Sequence, residues 1–221
     1  MFLTYAMIIS YYYVAMKMLL LASQKGGAGK STLARAFAVA ALRNGLRTAL
    51  IDADPQGSVK KWAQRRDAQA PTVLDLDGQG LSQALADAKG RGAQLAIVDS
   101  PPHDHALVSL AAENASAILI PVRPFPDDLE AIGATVKIAH AVGRKSAILI
   151  NAAPARAQAL TLARAALATF DIPLCPHAII DRVVHPYSTG AGMTAQEFAP
   201  ESKGAAEIET VWRWVGRTLK L

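Results

Sequence analysis

The sequence predicts a doubly wound α/β fold, a mostly parallel sheet flanked by helices, and three observations support it. Short apolar runs alternate with longer helical patterns from residue 18 to the end. Each run is continuously apolar rather than alternating, as suits strands buried on both faces. A glycine-rich segment and two acidic segments fall at the carboxyl ends of these runs, where sheets of this class bind ligands.

The first expected strand is MLLLAS (18–23), followed by the Ala- and Leu-rich helix KSTLARAFAVAALRNG, which stops at Asn44-Gly45. RTALIDA (47–53), TVLDL (72–76), LAIVDS (95–100) and AILIPV (117–122) are the next strands. LEAIGATVKIAHAVG follows as a helix, SAILIN (146–151) as a strand, ALTLARAALATF as a helix and IPLCP (172–176) as a seventh strand. At the end, EIETVWRWVGRTLKL places Ile208, Val211, Trp212, Val215 and Leu219 on one helical face and Glu209, Thr210, Arg213 and Arg217 on another. Such a helix packs its tryptophan on the sheet. A membrane-surface helix is the alternative, disfavoured because acids accompany the bases and no linker precedes it.

With 221 residues, 52% of them hydrophobic, the chain has enough material for one compact domain, taken as 18–221. Its net charge of +5 is compatible with an acidic partner. The single cysteine, Cys175, excludes an internal disulfide framework and an all-cysteine metal site within one chain. Residues 1–17 begin with sixteen uncharged, mostly apolar residues, and Lys17 follows the run rather than preceding it, unlike a secretory signal. They are expected to be a loosely attached extension or the product of an upstream start codon. A peripheral membrane anchor, an added strand or an oligomer contact are the alternatives.

SQKGGAGKST (23–32) carries the chemistry. It matches the phosphate-loop pattern G-x-x-x-x-G-K-[ST] at Gly29, Lys30 and Ser31 and departs from it at the first glycine. Gly26, Gly27 and Gly29, with Ala28 between them, let backbone N–H groups turn inward on phosphate oxygens. The helix that follows offers its positive end to the same anion. Lys30 is expected on the β- and γ-phosphates and Ser31 on Mg²⁺, with Thr32 completing the loop. Lys25 has no role in its own loop.

KGGAGKST resembles the deviant Walker A ATPases, the P-loop NTPase group that includes ParA partition proteins, MinD and the nitrogenase iron protein, whose pattern is K-G-G-x-G-K-[ST]. The resemblance implies that Lys25 reaches across a two-fold interface to phosphates held by a second copy, so that ATP closes a sandwich homodimer. It extends to LIDADPQGS, where Asp54 would orient the attacking water and help bind the metal, and Asp52 would hold the Lys25 ammonium or the neighbouring loop. LAIVDSPP implies that Asp99 binds Mg²⁺ through water, with DSPPHD as a γ-phosphate switch. Asn151 would read the adenine, and PVRPFPDDLEA (121–131) would form interface and pocket wall.

Cysteine-dependent branches of the group are excluded. What remains is a small ParA-type ATPase with ATP and Mg²⁺ as cofactors, located in the cytoplasm on the nucleoid. Its implied partners are non-specific DNA and a centromere-binding, ParB-like protein, and its implied task is partition of plasmid or chromosomal DNA. A MinD-like or cargo-positioning ATPase and a low-turnover nucleotide switch are the alternatives. Residues 131–180 carry five bases and one acid, Asp171. The expected DNA contacts are Lys137, Arg144, Lys145, Arg156, Arg164 and Arg182.

Overall fold

The computed structural model describes residues 15–155 and 157–221. A sheet of six strands holds β1 (Lys17–Leu21), β2 (Thr48–Asp52), β3 (Thr72–Asp75), β4 (Leu95–Asp99), β5 (Ala117–Val122) and β6 (Lys145–Ile150) in the order β3-β2-β4-β1-β5-β6. Every pair is parallel. Non-sequential neighbours around β1 mark the doubly wound topology and place the ligand crevice at its carboxyl end.

Nine helices lie among the described residues. They are α1 (Lys30–Arg43), α2 (Ser58–Gln64), α3 (Leu81–Gly90), α4 (His105–Asn114), α5 (Pro126–Val142), α6 (Ala157–Leu167), α7 (Val184–Gly190), α8 (Ala195–Phe198) and α9 (Lys203–Leu219). The period of two along β1 divides the core: Leu19 and Leu21 pack with Phe37 and Trp212 on one face, Met18 and Leu20 with Val108, Ile132 and Val136 on the other. Helix α1 ends where Gly45 adopts φ 82°. Helix α9 buries the five apolar residues read from the sequence, with the Trp212 ring 5.6 Å from that of Phe37. Among the described residues no helix is long and apolar enough to cross a membrane.

The first and the seventh expected strands differ most from expectation. Strand β1 begins at Lys17 and ends at Leu21, so Ser23 belongs to the loop. The reading of the extension falls, for residues 1–14, outside the described residues. The seventh strand does not form. Leu174 makes one bridge to Ile148, with Ile148 N–H bonded to Pro173 O and Cys175 N–H to Ile148 O. Pro173 and Pro176 lack N–H donors, so the segment runs beside β6 without extending a ladder.

Arg66 fastens α2 to the segment before α9. Its guanidinium is bidentate on Glu197 (2.5 and 2.9 Å), donates to the Gly192 and Ala70 carbonyls and lies over Trp62. Burial works to raise the Glu197 carboxyl, but the bonds from Arg66 and the Thr194 N–H outweigh it and hold the group below its usual range. A depressed carboxyl contributes stability that is present above the unfolded value near ~4.3 and lost as pH falls through the lower folded value. Arg66→Met is therefore expected to destabilise the protein by about 2 kcal/mol at pH 7, below the value for a fully buried pair because Glu197 keeps some solvent. Urea melts at pH 7 and pH 3 check this, and the gap should narrow at the lower pH.

Candidate nucleotide-binding site

The glycine-rich loop lies between β1 and α1, and its shape is set by two positive-φ glycines, Gly27 (78°) and Gly29 (83°). Asn151, buried at the end of β6, donates from Nδ2 to Ala28 O at 2.8 Å. A Cβ at Gly29 would run into that same Nδ2, so only glycine lets β6 hold the loop this closely. Asn151, the residue expected on the adenine, thus holds the loop through one of its two amide N–H groups.

The loop opens on two cavities. One of about 360 Å³ brings together Gly29, Lys30, Ser31, Thr32, Asp54 and Pro102. The other, about 640 Å³, is lined by Leu33, Asn151, Ile179, Asp181, His185 and Pro186 among others. Lys30 is buried, and its ammonium donates to Ser23 O at 3.0 Å. Burial lowers its pKa against the opposing charges of Asp99 and Asp54.

The register of β2 and β4 pairs Asp52 with Asp99, so the two carboxylates end adjacent strands. Their roles differ. Asp52 accepts from the N–H groups of Val59 (2.9 Å) and Lys60 (2.8 Å) at the start of α2, and from Asp54 N–H at 3.3 Å. Of the two partners expected for Asp52, the Lys25 ammonium or the neighbouring loop, its bonds go to the loop, and it also caps α2, whose first N–H groups lack helical partners. Asp99 is fully buried, and neither oxygen has a well-formed hydrogen bond. Burial pushes its carboxyl up to about 7 despite the nearby Ser31 hydroxyl. An orphaned buried carboxylate beside that hydroxyl fits a divalent cation, which Ser31 and, through water, Asp99 would hold.

Asp54 sits on the rim of the phosphate cavity, its Oδ1 accepting from Gln56 N–H at 2.9 Å. In the switch segment Asp104 caps α4 through Leu107 N–H, and Gln24 Nε2 donates to His105 Nδ1 at 3.0 Å. Lys25, next to Gly26 in the loop, is half-buried and makes no hydrogen bond or ion pair among the described residues. Arg123 holds the roof of the loop. It is bidentate on buried Asp128, both bonds 3.1 Å, while a Cβ on Gly27 would lie 3.5 Å from Nη1. That contact places Arg123 of the 121–131 segment beside the loop.

The expected DNA contacts differ in their surroundings. Arg182 is paired to Glu207 at 2.6 Å, and Arg164 donates to the Cys175 and Pro176 carbonyls. Both are engaged by this chain's own acceptors. Arg156 lies outside the described residues. Lys137, Arg144 and Lys145 are exposed, although Arg144 also donates to Glu113 O at 2.6 Å; the last two stand at the amino end of β6, where partial desolvation and then the nearby Lys220 and Lys17 lower the Lys145 ammonium. Two groups escaped the sequence reading: buried Arg35 on α1, and the cavity wall from Ile179 to Gly190. A basic residue one turn past Ser31 was the available signal for the first; the second required the fold.

Residues 19–190 match the family model described as the CobQ/CobB/MinD/ParA nucleotide-binding domain. This chain belongs to that family. Its fold and loop are those of a ParA/MinD-type ATPase. It is 28% identical to the maintenance of carboxysome distribution protein A of Halothiobacillus neapolitanus over 199 residues, 86% of this chain and 91% of the relative. Among solved structures it is similar to apo McdA from Cyanothece (TM-score 0.72, 17% identity, 93% of this chain and all of the other). It is equally similar to the septum site-determining protein MinD of Pyrococcus horikoshii in complex with Mg-ADP (TM-score 0.72, 18% identity, 91% and 96%).

Proposed function

We propose that this chain binds and hydrolyses ATP with Mg²⁺, dimerises around it, binds DNA without sequence preference in that state, and uses partner-stimulated turnover to distribute a cargo. Lys25 is the observation that carries the reading. A half-buried cation beside the glycines of the loop, without a partner among the described residues, would be available to phosphates bound by a second copy.

In this mechanism the loop N–H groups cradle the polyphosphate, and the Lys30 ammonium moves from Ser23 O to the terminal phosphates. Ser31 and, through water, Asp99 would hold a divalent cation, which would supply charge neutralisation to the phosphates. Asp54 aligns a water for in-line attack and Lys25 of the second copy stabilises the transition state, so a lone protomer turns over slowly.

The cargo in this reading is plasmid or chromosomal DNA, presented by a ParB-like centromere-binding protein with a basic, flexible tail, and the dimer sits on the nucleoid. A second reading has a protein body as cargo. The relative spanning 91% of its own length supports it, being named for carboxysome distribution. In both, DNA contact would fall to Lys137, Arg144 and Lys145, with Lys17 and Lys220 beside them. Binding of the protein to random-sequence duplex with ATP and with ADP tests the shared part. Expected is ATP-dependent binding that weakens steeply between 50 and 200 mM salt. No ATP-dependent binding at 50 mM salt would remove DNA from the proposal. Turnover stimulated by a partner would then separate an ATPase from a passive switch.

A further inference from the structure

Arg35 is buried, 6% exposed, in the middle of α1. Among the described residues no carboxylate lies within ion-pairing distance of it. Its bonds go to two neutral oxygens, Nη2 to Thr32 Oγ1 at 3.2 Å and Nη1 to Ser58 O at 3.3 Å. Burial lowers its pKa to about 10, with the charges of Asp99 and Asp52 working against that shift and Arg65 adding to it, so the guanidinium remains charged at neutral pH. A buried cation with long, neutral contacts is a net burden on the folded state. Its surroundings suggest why it is kept. The side chain lines both cavities, the one holding Lys30 and Ser31 and the one walled by Asn151 and Ile179. It therefore stands at the junction through which the link between a base and its outer phosphates must run. Thr32, which it contacts, is the loop residue directly after Ser31.

We infer that Arg35 is a nucleotide-binding residue whose guanidinium takes the phosphate attached to the ribose, and that it stays unpaired in the protein so that this phosphate supplies its counter-charge. The inference rests on the nucleotide-binding reading above. The same guanidinium holds the carbonyl of Ser58, four residues after Asp54, so the group that meets the nucleotide also braces the segment carrying Asp54.

Calorimetric titration of ADP and of adenosine into wild type, Arg35→Met and Arg35→Gln tests it, with thermal melts of the ligand-free proteins alongside. Arg35→Gln keeps a donor for Thr32 or Ser58 should the methionine variant fold poorly. Expected is a loss of about 10- to 100-fold in ADP affinity for both variants, as for a charge-assisted bond. Adenosine affinity should stay within about twofold, and the ligand-free melting temperature should not fall, since the buried cation has no ion pair to lose. Variants that bind ADP as the wild type does overturn the inference alone. So does an equal loss for ADP and adenosine, or a lowered ligand-free melting temperature in both variants, either of which marks a structural role. A wild type that does not bind ADP overturns the nucleotide-binding reading itself.

Discussion

Lys25→Ala is expected to remain a 23.3 kDa monomer in the presence of ATP under conditions where the wild type doubles in mass. The reasoning is electrostatic. Lys30, Ser31 and the loop amides serve the phosphates of their own protomer, yet Lys30 also faces Asp99 and Asp54, so the site has a limited surplus of positive charge. A cation arriving from a second copy adds the missing charge and makes association depend on the terminal phosphate. Cations supplied in trans to phosphoryl transfer are worth about 10³-fold or more in turnover, and a loss of that order should accompany the failure to dimerise. Light scattering with and without ATP, together with phosphate release, reads both. The alanine variant should still bind ADP, because its own loop is intact. An alanine variant that doubles in mass and turns over normally would remove the trans role.

Asp54→Asn should give the opposite phenotype: ATP-loaded dimers that form and persist because hydrolysis has slowed. Asp54 stands on the rim of the phosphate cavity with one oxygen engaged by Gln56 N–H, which leaves the other for a water. Asparagine preserves the shape but loses the charge, and removal of a positioned acid–base group costs about 10²- to 10⁴-fold. Single-turnover hydrolysis measures the drop, and scattering measures dimer lifetime. Wild-type turnover in this variant would assign water alignment elsewhere.

The parallel sheet was legible because its strands are unbroken apolar runs, with Ser23, Asp52, Asp99 and Asn151 at or just past their carboxyl ends, so period and punctuation agreed. The 172–176 run misled for a local reason. Its apolar content is strand-like, but two prolines leave too few donors for a ladder. Asp52 and Asp99 look alike in sequence, each closing a strand. Only three dimensions show that one carboxylate is saturated by N–H groups while the other is left bare. The basic residues after position 131 were visible as charge, but charge does not reveal whether Glu207 or a carbonyl has already claimed a side chain. Arg35 was hidden by its helix, since a basic residue in an Ala-rich stretch ordinarily faces solvent.

Because all six strands run in one direction, the molecule has two poles, the loop and carboxylates at one and Lys17, Lys145 and Lys220 at the other. A five-residue strand separates them by about 17 Å. A polyanion resting on the far pole would leave the mouth of the site unobstructed, so ligand exchange and surface attachment can proceed at the same time. Any influence of one on the other must then pass through the body of the sheet.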